Sequence, residues 1–119
     1  MSISSKWCLD TNRIKTFGKQ LFYVDRKGYK RWYLNGKYHR LNGPAVEFPD
    51  GYKCWYLNGK PHRVNGPAIE NVNGTKCWFL NDKRHRVGAA AIEFANGSKE
   101  WWLNGKEYYE SDYWKELKK

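Results

Sequence analysis

Four glycines at a spacing of 23 residues constrain the fold of this chain more than any other feature. Gly28, Gly51, Gly74 and Gly97 are each followed four residues later by a tryptophan. Self-similarity at a period of this size indicates that one supersecondary unit has been copied, and that each copy buries its apolar surface against its neighbours. The chain is therefore predicted to be a repeat array.

The period divides the chain into consecutive segments. Three complete copies span 28–50, 51–73 and 74–96, and a shortened copy spans 97–110. Upstream, Trp7-Cys8-Leu9-Asp10 and Phe22-Tyr23-Val24-Asp25 resemble a degenerate copy, so 1–27 is predicted to be an N-terminal capping repeat. Residues 111–119 change to a helical period and are predicted to form a short C-terminal capping helix.

Composition limits the class of protein. The chain has 119 residues and a formal net charge of +10, and its sequence has no apolar stretch of membrane-spanning length. Because its first residues lack the apolar region of a secretory signal, a cytoplasmic location is expected. Cys54 and Cys77 occupy the same position in successive copies, on the order of 10 Å apart if each copy adds two strands. That distance is too long for a disulfide, so free buried thiols are expected.

Asn-Gly pairs around the second copy predict two β-hairpin turns. Asn73-Gly74 predicts a tight type I′ turn, which places Trp78 opposite Ile69 on the next strand. Asn58-Gly59 predicts a second such turn, which places His62 opposite Trp55. The periodicity leaves open whether the Lys-x-His-Arg segment after this turn is a third strand or part of a longer loop.

The first register also predicts charged pairs. Glu70, Cys77 and Arg86 then share one row across the strands, as do Glu47, Cys54 and Arg63. Arginine is expected to reach glutamate across the small cysteine of its row. Taken together, the pattern predicts an all-β stack of antiparallel hairpins with a period of 23 residues.

The spacing of Trp, Asn-Gly-Lys, x-His and a later Gly over 28–110 resembles the MORN repeat, in its variant built around Trp-Tyr-x-Asn-Gly-Lys. Arg40, Arg63 and Arg86 stand where the commoner MORN pattern has glycine. The resemblance implies an elongated array of hairpins that acts as a binding or scaffolding surface for proteins or acidic lipids. Similar arrays occur in bacteriophages and in small bacterial immunity-type proteins, so the resemblance implies a phage accessory protein or inhibitor.

The sequence gives no support to a metal site or an enzyme. The three histidines lie one whole copy apart, whereas the ligands of one zinc ion lie about 2.0–2.3 Å from it. Most polar positions recur in every copy, and we find no nucleophile elbow or phosphate-binding glycine motif. We therefore predict no catalytic residues, no metal and no cofactor.

The recurrent basic loops are the candidate binding site. Stacked copies place their cations in a row with a period on the order of 10 Å, beside aromatic side chains expected to be exposed. The alternative is that these residues close the loop and pair with glutamate. The residues are Lys37, His39, Arg40, Lys60, His62, Arg63, Lys83, Arg84, His85 and Arg86, with Tyr33, Tyr56 and Phe79 beside them.

The charge predicts an acidic macromolecular partner. A protein surface is the first hypothesis, which would make the chain a protein-interaction or inhibitor module, for example a phage protein directed at a host or defence protein. A nucleic acid or nucleotide is the alternative. A scaffold on an acidic membrane is a weaker third, because no basic amphipathic helix accompanies the charge. The sequence leaves homo-oligomerisation open.

Overall fold

The computed structural model describes residues 20–119, which form a thin, elongated array of 54 × 30 × 17 Å. Its strands are β1 (Gln20–Val24), β2 (Lys30–Leu34), β3 (Lys37–Tyr38), β4 (Val46–Glu47), β5 (Lys53–Cys54), β6 (Tyr56–Leu57), β7 (Lys60–Pro61), β8 (Ile69–Glu70), β9 (Lys76–Cys77), β10 (Phe79–Leu80), β11 (Lys83–Arg84), β12 (Ile92–Glu93), β13 (Lys99–Leu103) and β14 (Lys106–Tyr108). The helix α1 (Glu110–Leu117) follows.

Each copy adds two strands to one long antiparallel sheet. The strand order is β1-β2-β4-β5-β8-β9-β12-β13-β14, and every neighbouring pair is antiparallel. Beyond each tryptophan the strand turns away into a second, smaller hairpin, formed by β2–β3, β6–β7 and β10–β11. The prediction of an all-β array of antiparallel hairpins with a short C-terminal helix is confirmed.

The smaller hairpins show how the Lys-x-His-Arg segments fold, which the periodicity leaves open. The first two residues of each Lys-x-His-Arg segment form a short third strand, and the backbone then leaves the hairpin. Asn58 and Gly59 have φ values of 51° and 79°, as a type I′ turn requires. The His62 N–H donates to the Trp55 carbonyl at 3.0 Å, which confirms the predicted register of this hairpin.

The prediction of a type I′ turn at Asn73-Gly74 is wrong, because the loop is one residue longer than such a turn. The Asn71 N–H donates to the Thr75 carbonyl at 2.9 Å, and the Gly74 N–H donates to the Asn71 carbonyl at 3.0 Å. Gly74 has a φ of 97°, whereas Asn73 is not in the left-handed region. This is a three-residue loop that ends in a glycine bulge, so it contains one residue more than a type I′ turn.

The extra residue in this loop shifts the pairing of the two strands by one residue, so residues predicted to share a face lie on opposite faces of the sheet. Ile69 stands opposite Cys77 rather than Trp78, and Val46 and Ile92 are displaced in the same way. The predicted pairing of tryptophan with a β-branched residue is therefore wrong. One side of the sheet, here the cysteine face, carries Val46, Cys54, Ile69, Cys77 and Ile92, and the other, the tryptophan face, carries Trp32, Trp55, Trp78 and Trp101.

The cysteine face is the more apolar of the two. Cys54 is fully buried there between Val46 and Ile69, and Cys77 is half-buried. Both thiols are free, as expected, since β8 separates the two strands that carry them. Burial raises the pKa of both thiols, so their neutral form is favoured.

Helix α1 packs on the tryptophan face of the last copy. Its Tyr113 is fully buried, and the ring centroid lies 5.0 Å from that of Trp101. The helix begins at Glu110, one residue before the predicted segment. No helix in the described part of the chain has both the length and the apolar character needed to cross a bilayer.

The described residues include part of the predicted N-terminal cap. β1 pairs along its whole length with β2, and Phe22 stacks on Trp32 with a centroid distance of 4.5 Å. Within residues 20–119, strand β1 therefore lies at one edge of the long sheet. The predicted Trp7-Cys8-Leu9-Asp10 portion of the cap lies outside the described residues.

Candidate functional site

The recurrent arginines cover the tryptophans of their own copies. The guanidinium carbon of Arg40 lies 3.8 Å from the ring centroid of Trp32, and that of Arg63 lies 3.7 Å from Trp55. Arg86 and Trp78 repeat the contact at 3.7 Å. A planar cation at this distance from an indole gains both stacking and cation–π attraction. Each arginine thus closes over the side chain that defines the repeat.

The same arginines hold the loop that follows them. Nη1 of Arg63 donates to the Pro67 carbonyl at 3.0 Å and to Glu70 Oε2 at 3.2 Å. Arg86 makes the equivalent contacts with Ala90 at 3.0 Å and Glu93 at 2.8 Å. Arginine therefore pairs with glutamate as expected, but Arg63 pairs with Glu70 rather than with Glu47, and Arg86 pairs with Glu93 rather than with Glu70. The predicted partners are wrong because the register of the long sheet differs by one residue.

Arg40 forms the first member of the series. Its Nη1 donates to the Pro44 carbonyl at 3.1 Å. Burial lowers the pKa of Arg40, and the negative charge of Glu47 opposes this effect. All three arginines thus make contacts within the protein. The alternative interpretation of the basic loops predicts such contacts.

The three histidines join neighbouring copies. Nδ1 of His39 accepts a hydrogen bond from the Asn58 backbone N–H at 3.0 Å. His62 accepts one from Asn81 at 2.9 Å, and His85 accepts one from Asn104 at 3.0 Å. Each acceptor nitrogen faces the turn of the next copy, so the imidazoles align successive hairpins. Residues 20–119 contain no cluster of three His, Cys, Asp or Glu side chains placed to hold a metal ion.

The lysines of the loops are exposed at the ends of the smaller hairpins. Lys60 stands opposite Leu57, and Lys83 stands opposite Leu80, so each lysine shares the tryptophan face with its leucine. The stem of Lys37 lies against the turn of the next copy, 3.5 Å from where a Cβ of Gly59 would be. The column at this position is Lys37, Lys60, Lys83 and Lys106.

A second column of lysines lies at the opposite end of the same face. In the long sheet, lysine and glutamate alternate across successive strands, which places opposite charges side by side. Within the strands and the recurrent loops, eight lysines and three arginines thus share the tryptophan face with three glutamates, a surplus of eight positive charges in a chain of net charge +10. Residues 110–119 add three acidic and three basic residues and leave this surplus unchanged. The alternating row is Lys30, Glu47, Lys53, Glu70, Lys76, Glu93 and Lys99.

The predicted aromatic residues lie on the other side of the sheet. Tyr33 stacks on Tyr38 with a centroid distance of 5.0 Å, and Tyr38 lies 5.1 Å from Tyr56. Burial, together with Tyr38, raises the pKa of Tyr33 to about 12, and burial and Cys54 raise the pKa of Tyr56. Tyr33 and Tyr56 are half-buried rather than exposed as expected, because both pack against Tyr38. Phe79 is also half-buried rather than exposed.

Arg84 extends this aromatic row. Its guanidinium carbon lies 5.5 Å from the ring centroid of Phe79 and 4.9 Å from that of Trp102. Arg84, Tyr33 and Tyr56 are therefore separated by the sheet from the other predicted binding residues.

Two equivalent grooves open on the tryptophan face, between the loops of successive copies. The first, of about 560 Å³, has Trp55 and Leu57 as its floor, and the second, of about 570 Å³, has Trp78 and Leu80. Adding 23 to each floor residue of the first groove gives that of the second. The predicted residues Arg40, His62 and Arg63 line the first groove, and Arg63, His85 and Arg86 line the second.

Exposed aliphatic side chains border these grooves. Leu41 and Val64 are each 73% exposed and Val87 is 68% exposed, although each stands immediately after a recurrent arginine. These residues and the groove-floor tryptophans are not among the binding residues that the sequence predicts. The signal was present, since an aliphatic residue recurs at this polar loop position in three copies.

Comparison with known proteins gives no match, whether with protein-family models, with curated proteins or with solved structures.

Proposed function

We propose that this chain is a non-enzymatic binding module whose tryptophan face engages an acidic macromolecular surface. The observation that carries the proposal is the surplus of eight positive charges on that face. A long, thin sheet presents this charge over an extended area and attracts a polyanionic partner. We further propose that the repeat is a MORN-like variant, on the residue pattern described above.

A protein partner fits this face better than a nucleic acid. Glu47, Glu70 and Glu93 interrupt the lysines along the sheet, and a continuous phosphate backbone would meet their negative charge. The aliphatic side chains that border the grooves offer apolar contacts, which suit a protein surface. The resemblance to phage and immunity-type arrays makes an inhibitor of a host or defence protein the specific form of the proposal. The free thiols of Cys54 and Cys77 favour action in a reducing compartment.

The cysteine face supports nucleic acid as the second candidate. Its row of tyrosines continues through Phe79 to Trp102, with the cation of Arg84 near both rings. Aromatic rings beside a cation stack on bases in single strands. This candidate uses the opposite face of the sheet, so substitutions distinguish the two proposals.

Binding of polyglutamate and of a single-stranded oligodeoxynucleotide to the full chain, measured by fluorescence anisotropy, tests the proposal. The variant Lys37→Glu, Lys60→Glu, Lys83→Glu should bind polyglutamate at least about tenfold more weakly, about 1.4 kcal/mol, because three attractions become repulsions. The matched control reverses the same number of exposed charges away from this column, with Arg26→Glu, Arg84→Glu and Lys118→Glu. We expect this control to retain most of the affinity.

Equal losses in both variants would contradict the proposed face, since net charge alone would then govern binding. Preferential binding of the oligodeoxynucleotide, lost in Tyr56→Ala but not in the lysine variant, would favour the second candidate. Its affinity should then fall with salt at a logarithmic slope of about −0.7 per phosphate contacted.

A further inference from the structure

A third groove of the same kind exists in the last copy, and the chain fills it with its own tyrosine. Tyr113 of α1 lies between the loop of residues 86–90 and Trp101. Its hydroxyl donates to the Arg86 carbonyl and lies 3.1 Å from the Ala89 carbonyl, and it accepts from the Gly88 N–H at 2.9 Å. The structure thus shows one occupant of a groove of this design.

Closure of the third groove changes the exposure of its floor. Leu103 is buried, whereas Leu57 and Leu80 at the equivalent positions of the open grooves are half-buried. Among the described residues, no hydrogen bond is made to the main-chain carbonyls of Arg40 and Arg63, which correspond to the Arg86 carbonyl. The open grooves therefore retain an apolar floor and a free acceptor. The loop at Gly88 differs from its counterparts in having a φ of 90°, so the N–H donor is particular to the third groove.

We infer that the two open grooves bind aromatic side chains of an extended, acidic partner peptide in the polyproline II conformation, with one such side chain at every third residue. This inference rests on the proposed function and specifies the partner of the same face.

The spacing of the grooves selects this conformation. Successive grooves are two strands apart, which is about 9.6 Å. A polyproline II helix has three residues per turn and a rise of about 3.1 Å, so residues i and i+3 point the same way about 9.3 Å apart. In a β-strand, residues i and i+3 point to opposite sides. In an α-helix, residues i and i+7 share a side but lie about 10.5 Å apart.

The charges around the grooves select the acidic character of the peptide. Arg63 lines the first groove, Arg86 lines the second, and Lys60 and Lys83 stand at their hairpin ends. Acidic residues between the aromatic ones would face this basic rim. Since proline limits the backbone to this conformation, a proline-containing peptide would lose less entropy on binding.

The test uses two synthetic peptides and the full chain. One repeats Tyr-Pro-Glu and the other repeats Tyr-Pro-Pro-Glu, with the same number of tyrosines and glutamates in each. We expect the first to bind about tenfold more tightly, since its tyrosines enter both grooves at once. In ¹H–¹⁵N spectra, the indole signals of Trp55 and Trp78 should shift on binding, and that of Trp101 should not, because Tyr113 already fills its groove.

A pair of matched variants locates the binding site. Val64 lies between the two grooves and lines both, so Val64→Asp should weaken binding of the first peptide about tenfold by repelling its glutamates. Val72 is also exposed, at 60%, but lies in a turn outside the grooves, so Val72→Asp should leave the affinity unchanged.

Equal affinity for both peptides, or equal affinity of Val64→Asp and the unsubstituted chain, would overturn the inference. If the lysine substitutions still weakened polyglutamate binding, the proposed function would stand without it. If they had no effect either, both proposals would fail.

Discussion

At the scale of single residues, the recurrent arginine is the group on which most contacts converge. Arg63 stacks on Trp55, donates to a carbonyl of its loop and pairs with Glu70. A Cβ on Gly66 would lie 2.7 Å from the Arg63 guanidinium carbon, so glycine leaves room for the guanidinium there, although Arg86 makes the same stack with Ala89 at the equivalent position. The sequence shows Arg-x-x-Gly in two copies but gives no sign that arginine folds back over the tryptophan.

The first prediction concerns the stacking of this arginine. Arg63→Lys keeps the positive charge but loses the planar group that covers Trp55 and donates to Pro67, and we expect it to lower the free energy of unfolding by about 1–2 kcal/mol. Urea denaturation followed by tryptophan fluorescence measures the change. Arg26→Lys is the matched control, since Arg26 is exposed and should tolerate the change. Equal midpoints for the two variants would contradict a stabilising role for the stacked guanidinium.

At the scale of elements, the two Asn-Gly turns show how far local sequence predicts structure. The turn at Asn58-Gly59 follows the prediction, whereas the same dipeptide at Asn73-Gly74 lies in a longer loop. There the Asn73 side chain accepts a hydrogen bond from the Thr75 N–H at 2.9 Å. The dipeptide suits both turns, since each requires a left-handed glycine.

The residue that precedes glycine differs between the longer loop and the type I′ turn when the copies are compared. The residue before the glycine of the longer loop is Lys27 in the first loop of this kind and Asp50 in the second. Every type I′ turn instead has asparagine at its first central position. Lysine is a poor candidate for a left-handed position, so the variation indicates that this position has ordinary backbone geometry. The register of the long sheet was therefore predictable in principle from Lys27 rather than from the dipeptide.

Asp82 provides the second prediction, because it stands where the other type I′ turns have glycine. Its φ is 72°, and its N–H donates to the Pro61 carbonyl at 2.9 Å as Gly59 and Gly105 do to their own partners. Relief of the left-handed backbone should make Asp82→Gly more stable by up to about 1 kcal/mol. The reciprocal change Gly59→Asp should destabilise by a similar amount. Thermal unfolding of both variants checks the pair, and a loss of stability in Asp82→Gly would contradict the argument.

At the scale of the whole molecule, the repeat period predicts the architecture but not the grooves. The period, the Asn58-Gly59 turn and the C-terminal change of pattern predict the hairpin array and its helix. The grooves depend on how the loops after Arg40 and Arg63 project over the next copy, which no local pattern encodes. The side of the sheet on which tryptophan lies depends on a one-residue register, so it needs the three-dimensional structure.

In the described sheet, every hydrogen-bonded strand pair lies within one copy or joins neighbouring copies, so the stability of the array should be local. The third prediction follows from the position of Tyr113 at one end. Tyr113→Ala removes a fully buried ring and its hydrogen bonds, and we expect a local cost of about 3–5 kcal/mol. Native-state hydrogen exchange should accelerate in residues 86–119 and remain unchanged in residues 20–50.

The control for this prediction is Tyr109→Ala, since Tyr109 is 84% exposed and lies at the start of the same helix. It should leave exchange nearly unchanged throughout. If Tyr113→Ala instead accelerated exchange to the same degree from residue 20 to residue 119, the array would unfold as one cooperative unit. Each histidine bond to the next turn would then transmit stability across all the copies, and partner binding at one groove would stabilise the distant end of the sheet as well as the groove itself.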